Sequence, residues 1–335
     1  MTGMMADNPG ATSPAREAPL TEQAGPLGRA RQRKREVNGW LILDKPVGIT
    51  STHAVAIAKR LFAAKKAGHA GTLDPLASGL LPIAFGEATK TVPFVLEGRK
   101  GYRFTVSWGE ERDTDDSEGA VLAVSAERPT REAIELALGA FIGEIMQTPP
   151  RYSAIKIAGE RAYDLSRSGQ TVELEGRPVR IEALCLISHT GDSSLFEAVC
   201  GKGTYVRAIA RDLGRALSCF GHVSALRRTG VGPFAEKHAI SLDDLAAMSD
   251  KAAAGEGSLA GELLPVATAL DDIPALAVSR ADAGRLRRGQ AILLRGRDAP
   301  LLHGRISVTS DGALVALAEA EGAEIKPTRI FNLGR

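Results

Sequence analysis

Aromatic side chains make up only 4% of the 335 residues, so few rings are available for any surface that must stack on a ligand. Cysteine is scarcer still. Cys185, Cys200 and Cys219 form an odd set with no C-x-x-C spacing, which argues against both a disulfide framework and a zinc site. Buried free thiols are the expected state. No apolar run approaches the ~20 residues a membrane helix needs. Residues 1–27 are rich in Pro, Ala, Gly and Glu and lack the apolar core of a secretory signal, so a soluble, cytoplasmic protein is expected. Charge of one sign is also missing: the formal net charge is +2, and any nucleic-acid surface must come from local clustering of Lys and Arg.

What is present suggests two folded units, since single cores usually stop growing at about 250 to 300 residues. The first 35 residues have little to bury and end in RARQRKR, with Arg29, Arg31, Arg33, Lys34 and Arg35. A disordered, solvated tail and a basic arm for nonspecific phosphate contact are equally good readings. Order is expected from Asn38. NGWLILDKP reads as a strand at Trp40 to Leu43, broken by Pro46 and Gly48. Ser51 or Thr52 then caps a helix through about Lys65, with Val55, Leu61 and Phe62 facing inward. A Gly-rich loop at 68–79 precedes a strand at 100–109, and a helix is expected from about Thr130 to Ile145. Strands at 178–188 and 195–200 lead into a helix at 204–217, and Ser241 with Asp244 caps one more. The small-residue stretch 252–261 reads as a linker, with RISVT and ALVALAE as strands beyond it. Strands and helices mix without a steady βαβ rhythm, which predicts α+β with a largely antiparallel sheet. The expected division is a tail at 1–35, a large mixed domain at 36–251, a linker at 252–262 and a small β-rich domain at 263–335.

The segment GHAGTLDPLASG carries the chemistry. Asp74 precedes Pro75, which keeps it extended or in a turn, and Leu73, Leu76, Leu80 and Leu81 surround it in sequence. A carboxylate among so many leucines loses solvation unless a cation or hydrogen bonds compensate, so a partner is required. Taken alone, an Asp-Pro pair is usually just a turn. Two other features carry less. GKGT at 201–204 lacks the opening glycine and the Lys-Ser or Lys-Thr pair of a phosphate-binding loop. Asp113, Asp115, Asp116 and Glu118 lack calcium-loop spacing and read as a solvated acidic loop.

GHAGTLDPLASGLLPIAFGEATK resembles the catalytic signature of the bacterial tRNA pseudouridine-55 synthases, the TruB family. The likeness continues in NGWLILDKPVGITS, KGYRF, ERDTDDSEG, QTPPRYSAIKIAGERAYDLSRSG, CGKGTYVRAIARDLG and HVSALRRTGVGPF, in the family's order from about Asn38 to Phe234. The resemblance implies a pseudouridine-synthase fold with a small PUA-like RNA-binding domain. It implies an isomerase that converts uridine-55 in the T-arm loop of tRNA by flipping the base, working as a monomer with no cofactor, no metal and no guide RNA. By resemblance Asp74 is the catalytic carboxylate, Arg207 its cation, Tyr205 an active-site tyrosine, and Tyr102 the ring that stacks on the base. His69 is the side chain inserted near the vacated position, Leu226 an apolar wall of the uracil pocket, and Lys45 a support for the RNA or the active-site loop. Arg227 and Arg228, with Arg151, Lys156 and Arg161, would touch phosphates. Two other readings compete: a tRNA-folding chaperone with little or no catalysis, and a guide-RNA-dependent synthase. Asp74, Tyr102, Tyr205 and Arg207 together speak against a purely binding role, because a binder has no need of an Asp beside Pro in an apolar loop, and the motifs read as the stand-alone bacterial type rather than the guide-RNA-dependent one.

Overall fold

The run Trp40–Leu43 is fully buried because its strand has a packed layer on each face. Alternate residues of a strand point to opposite sides. Leu41 and Leu43 therefore join one apolar cluster, while Trp40 and Ile42 join another. The computed structural model describes residues 33–153, 156–157, 160–161, 174–294 and 300–333. The tail expected at 1–35 lies outside the described residues up to 32.

The large sheet has ten strands: β1 Gly39–Lys45, β2 Ala67–His69, β3 Ala77–Phe85, β4 Lys100–Trp108, β5 Gly143–Gln147, β6 Arg177–Thr190, β7 Ser193–Cys200, β8 Gly221–Val231, β9 Phe234–Ala235 and β10 Ile240–Ser241. Its order is β10-β1-β3-β8-β4-β7-β6-β5, with β2 on β3 and β9 on β8. Only β1–β10 and β3–β8 run parallel; the other pairings are antiparallel, as the missing βαβ rhythm predicts. The helices are α1 Ser51–Leu61, α2 Val92–Glu97, α3 Arg131–Leu138, α4 Val206–Ala216, α5 Leu242–Ala253 and α6 Arg280–Arg287. None among the described residues is long and apolar enough to cross a membrane. A second, five-stranded sheet comprises β11 Ala275–Ala277, β12 Ile292–Leu293, β13 Leu302–Ser310, β14 Ala313–Gly322 and β15 Glu324–Ile330, in the order β11-β13-β14-β15-β12. This is the β-rich C-terminal part that the sequence predicts.

Several elements differ locally from expectation. Thr50, not Ser51 or Thr52, caps α1, accepting from His53 N–H. The helix buries Ser51, Ala54 and Ala58, with Phe62 just beyond its end, while Val55 and Leu61 are only half-buried. The helix capped by Thr130 stops at Leu138. Gly139 weakens it, as glycine does in any helix interior, and Gly143, at φ +99°, opens the edge strand β5 instead. The expected linker is not free: α5 runs into it and Leu259 is buried in the core. Leu264 then exchanges both backbone hydrogen bonds with Trp40 (2.8 and 2.9 Å), so the chain stays on the large sheet until Ala275 opens the second one. Cys200 and Cys219 are buried, but Cys185 is exposed.

One glycine fixes how closely β3 and β8 approach. Gly79 sits at φ +97° opposite Arg228, and a Cβ there would lie 2.2 Å from the Arg228 carbonyl oxygen. Backbone cannot give way as a flexible side chain can. Gly79→Ala should cost roughly 2–3 kcal/mol from the backbone conformation alone and more from the clash. A thermal melt matching that of the unmodified protein would refute this.

Candidate active site

Asp74 lies in the loop between β2 and β3, and the peptides on both sides of it are held. The buried Ser51 hydroxyl donates to Leu73 O (2.9 Å) and accepts from Leu73 N–H (2.8 Å). On the other side, Pro75 O accepts from Gly48 N–H at 2.8 Å and from the Lys45 ammonium at 3.4 Å. Behind the loop the Arg228 guanidinium, 2% exposed, donates to Gly71 O (3.0 Å), Thr72 O (3.3 Å) and Leu80 O (2.7 Å). Leu73, Leu76, Leu80 and Leu81 are all buried and anchor the loop by apolar contact. The Asp74 side chain emerges 39% exposed.

The required cation is Arg207, in the first turn of α4. Its Nη2 lies 2.9 Å from Asp74 Oδ2. The guanidinium also donates to Thr114 O (2.8 Å) and Tyr152 O (2.9 Å) and lies 3.3 Å from Asp116 Oδ2. With its donors fixed in this way, the planar group can present only one edge to Asp74. The start of α4 is fixed too, because the buried Gln147 side chain accepts from Tyr205 N–H (2.9 Å) and donates to Tyr205 O (3.2 Å).

The composition of the acidic loop suggests solvation, and Glu118 is exposed and Asp113 half-buried, but Asp115 and Asp116 are buried, at 5% and 3% exposed. Arginines at every fourth position of α4 pair with it in series. Arg207 meets Asp116, Arg211 meets Asp115 at 2.9 Å, and Arg215 meets Glu111 at 2.6 Å. Burial pushes the Asp115 carboxyl up to about 6, against the pull of Arg211 and Arg207. Spacing of i, i+4, i+8 puts three side chains on one helix face. That regularity, opposite a run of acids, is the sequence signal that points to this ladder.

Asp74, Tyr102, Tyr205, Arg207, Leu226 and Arg228 line one cleft of about 410 Å³. Tyr102 on β4 stands opposite Arg228 on β8. Burial raises the pKa of both tyrosines, so each is a neutral phenol near pH 7. Leu226, 8% exposed, supplies an apolar wall.

Lys45 and His69 do not line the cleft. Lys45 is fully buried, and its ammonium donates to Pro46 O (2.8 Å) and Ile49 O (2.9 Å) as well as Pro75 O. It supports the active-site loop from beneath, one of the two roles expected of it. His69 ends β2 opposite Ile83, half-buried, with its Nδ1 unpaired, and it is not part of the cleft lining. Burial, then Arg228, lowers its pKa, so the ring is neutral. The expected phosphate contacts are also revised. Arg228 is the buried pin just described, and Arg227 is engaged by Asp44 (2.8 Å) and Glu236 (2.7 Å). The side chains of Lys156 and Arg161 lie outside the described residues.

Lys45 makes the site pH-sensitive. Burial, partly offset by Asp74, lowers its pKa to about 8. Deprotonation removes a positive charge close to Asp74 and leaves two N–H donors for three carbonyls, so the electrostatics of the site should change as pH rises through 8. Turnover should show an alkaline limb near that pH, and Lys45→Arg should move the limb upward. The same limb in Lys45→Arg would refute the assignment. The sign for stability is separate: a lysine whose folded pKa is depressed binds fewer protons than in the unfolded chain between about 8 and 10.5. Its contribution therefore becomes less unfavourable as pH rises across that range.

The chain is similar to known proteins along most of its length. Residues 59–206 match the TruB family pseudouridylate synthase N-terminal domain, and 207–271 match the tRNA pseudouridylate synthase B C-terminal domain. A protein of Rhodopseudomonas palustris named tRNA pseudouridine synthase B is 65% identical over 93% of this chain and 85% of its own length. One of the same name from Sinorhizobium medicae is 53% identical over 91% of this chain and 99% of its own. Among solved structures, a chain in the crystal structure of a Cbf5-Nop10-Gar1 complex superposes with a TM-score of 0.69 at 26% identity, over 88% of this chain and 85% of that one. From the match of both domains and the identity sustained along nearly the whole length, the chain belongs to the TruB family of pseudouridylate synthases.

Proposed function

We propose that this protein isomerises uridine to pseudouridine in tRNA, at position 55 in the T-arm loop, with Asp74 as the catalytic carboxylate. The activity and the RNA follow from the family and from the names of relatives at 53–66% identity. The observation that carries the role of Asp74 is its contact with Arg207 at the mouth of a cleft walled by Tyr102, Tyr205 and Leu226.

The reaction balances within the nucleoside. The C1′–N1 bond breaks, a C1′–C5 bond forms, one proton leaves C5 and one joins N1. No redox partner or group donor enters. A carboxylate can assist by attacking as nucleophile or by stabilising the sugar cation. Arg207 fixes its direction and supplies its counter-charge. A base stacked in an RNA loop must swing out to meet Asp74, and Tyr102 offers the ring on which it can stack. Leu226 closes the apolar side, and the two neutral phenols are available as hydrogen-bond donors or proton relays.

We assign the protein to the cytoplasm and to a stand-alone mode of action as a monomer, without guide RNA or cofactor. The test is direct. Purified protein and an unmodified tRNA transcript, with no other RNA, should give pseudouridine at the T-loop uridine when the transcript is mapped base by base. No product, or product only after other RNA or proteins are added, would refute the stand-alone reading. Product elsewhere in the transcript would refute the site. Binding without turnover by the unmodified protein would favour a chaperone role.

A further inference from the structure

A second basic surface lies at the far end of α1, away from the cleft. The chain from Lys34 and the turn after α1 are joined by backbone hydrogen bonds. Arg35 N–H donates to Ala63 O (2.7 Å), Lys65 N–H to Arg35 O (3.0 Å), Ala64 N–H to Lys59 O (3.0 Å) and Ala63 N–H to Arg60 O (3.0 Å). These bonds gather Lys34, Arg35, Lys59, Arg60, Lys65 and Lys66 into one knot of chain. Lys59 is half-buried and the other five are exposed. Among the described residues one carboxylate answers them, Glu36, at 2.7 Å from Lys65. Among the described residues no carboxylate pairs with Lys59, Arg60 or Lys66. In sequence, Arg29, Arg31 and Arg33 lead directly into this knot.

Such a concentration of cations stands out in a chain whose net charge is only +2. Like charges crowded together destabilise a fold unless something outside neutralises them. The backbone bonds prevent the segment from swinging away from α1. The knot also has a defined distance from the chemistry. The first residue of α1, Ser51, is bonded to Leu73 beside Asp74, and an 11-residue helix is about 16 Å long.

We propose that this surface is a phosphate-binding site for tRNA, gripping the sugar-phosphate backbone outside the loop that delivers the target uridine. The identity of the partner rests on the RNA reading above; the surface itself does not. A patch of lysines and arginines with no aromatic ring among them suits phosphates and carries no base readout. It adds affinity without selecting sequence.

The test combines the quadruple variant Lys59→Gln/Arg60→Gln/Lys65→Gln/Lys66→Gln with a control losing four charges elsewhere, Arg99→Gln/Arg131→Gln/Arg180→Gln/Arg280→Gln. None of the eight residues lines the cleft or holds its loop. Binding of full-length unmodified tRNA is measured by fluorescence anisotropy across a potassium chloride series. Each phosphate contact contributes about 0.9 to the slope of log affinity against log salt. The patch variant should lose roughly two to three units of slope and about 10- to 100-fold in affinity near 0.1 M salt. Its KM should rise about as much while kcat stays unchanged, and the control should keep most of both. Equal losses in the two variants, or an unchanged KM in the patch variant, would overturn the proposal. So would loss of binding to phosphatidylglycerol vesicles with the tRNA slope intact, which would make the surface a membrane contact. If the unmodified protein formed no pseudouridine at all, the functional reading would fail, yet the salt slopes would still decide this one.

Discussion

Asp74→Asn should bind unmodified tRNA as tightly as the unmodified protein and form no detectable pseudouridine. The substitution keeps the shape of the side chain and leaves an oxygen to accept from Arg207, so the loop held by Ser51, Gly48, Lys45 and Arg228 has no reason to move. What disappears is the negative charge and with it the ability to attack, or to stabilise, an electron-poor sugar carbon. Loss of a group that acts directly on the reacting bond lowers turnover by on the order of 10⁴-fold or more. Single-turnover assays with saturating enzyme separate this from weakened binding. A rate within about 100-fold of the unmodified protein would remove Asp74 from the reaction.

Arg207→Ala should be nearly as damaging, and for two separable reasons. The first concerns the cleft: without the guanidinium, Asp74 loses its positive neighbour and its fixed direction. Removing one preorganised electrostatic donor typically costs about 10²- to 10³-fold in turnover. The second concerns the fold. Asp116, 3% exposed and paired with Arg207, becomes a buried charge with no cation beside it, held only by the Thr114 hydroxyl and Glu118 N–H; removing one partner of a buried pair costs up to about 3–5 kcal/mol. The double variant Arg207→Ala/Asp116→Asn distinguishes the two. Neutralising Asp116 should restore much of the melting temperature and none of the turnover. If activity returned together with stability, Arg207 would be a purely structural residue.

The sequence displayed the centre of the site more clearly than its surroundings. Asp74 was legible because Pro75 excludes a helix there and the leucines around it demand a charged partner, and the resemblance named Arg207 as that partner. The antiparallel sheet was legible from the missing βαβ rhythm. Ser51 was misread because a serine at a helix start normally caps it. Thr50, one residue earlier, takes that role and leaves Ser51 turned inward to hold Leu73. Arg227 and Arg228 look equivalent in sequence, yet neighbours on a strand face opposite ways. Arg228 shares Leu226's side and is buried against Gly71 and Thr72, whereas Arg227 meets Asp44 and Glu236. The acidic loop was misjudged because its burial depends on a helix almost a hundred residues away, which local composition does not show. For Lys45, only the tertiary structure reveals that its ammonium is enclosed beneath the loop.

The arginine ladder on α4 works like a screw thread. Its rungs recur every four residues, so the next position at which the helix could satisfy the opposing acids lies about 6 Å along its axis. Intermediate positions would leave several buried charges stranded at once. A helix shifted by one such step would carry Arg207 out of reach of Asp74. Weakening a remote rung such as Arg215 with Glu111 should make a fraction of molecules silent and leave the rest at full speed, a heterogeneity that burst amplitudes would reveal and average rates would hide.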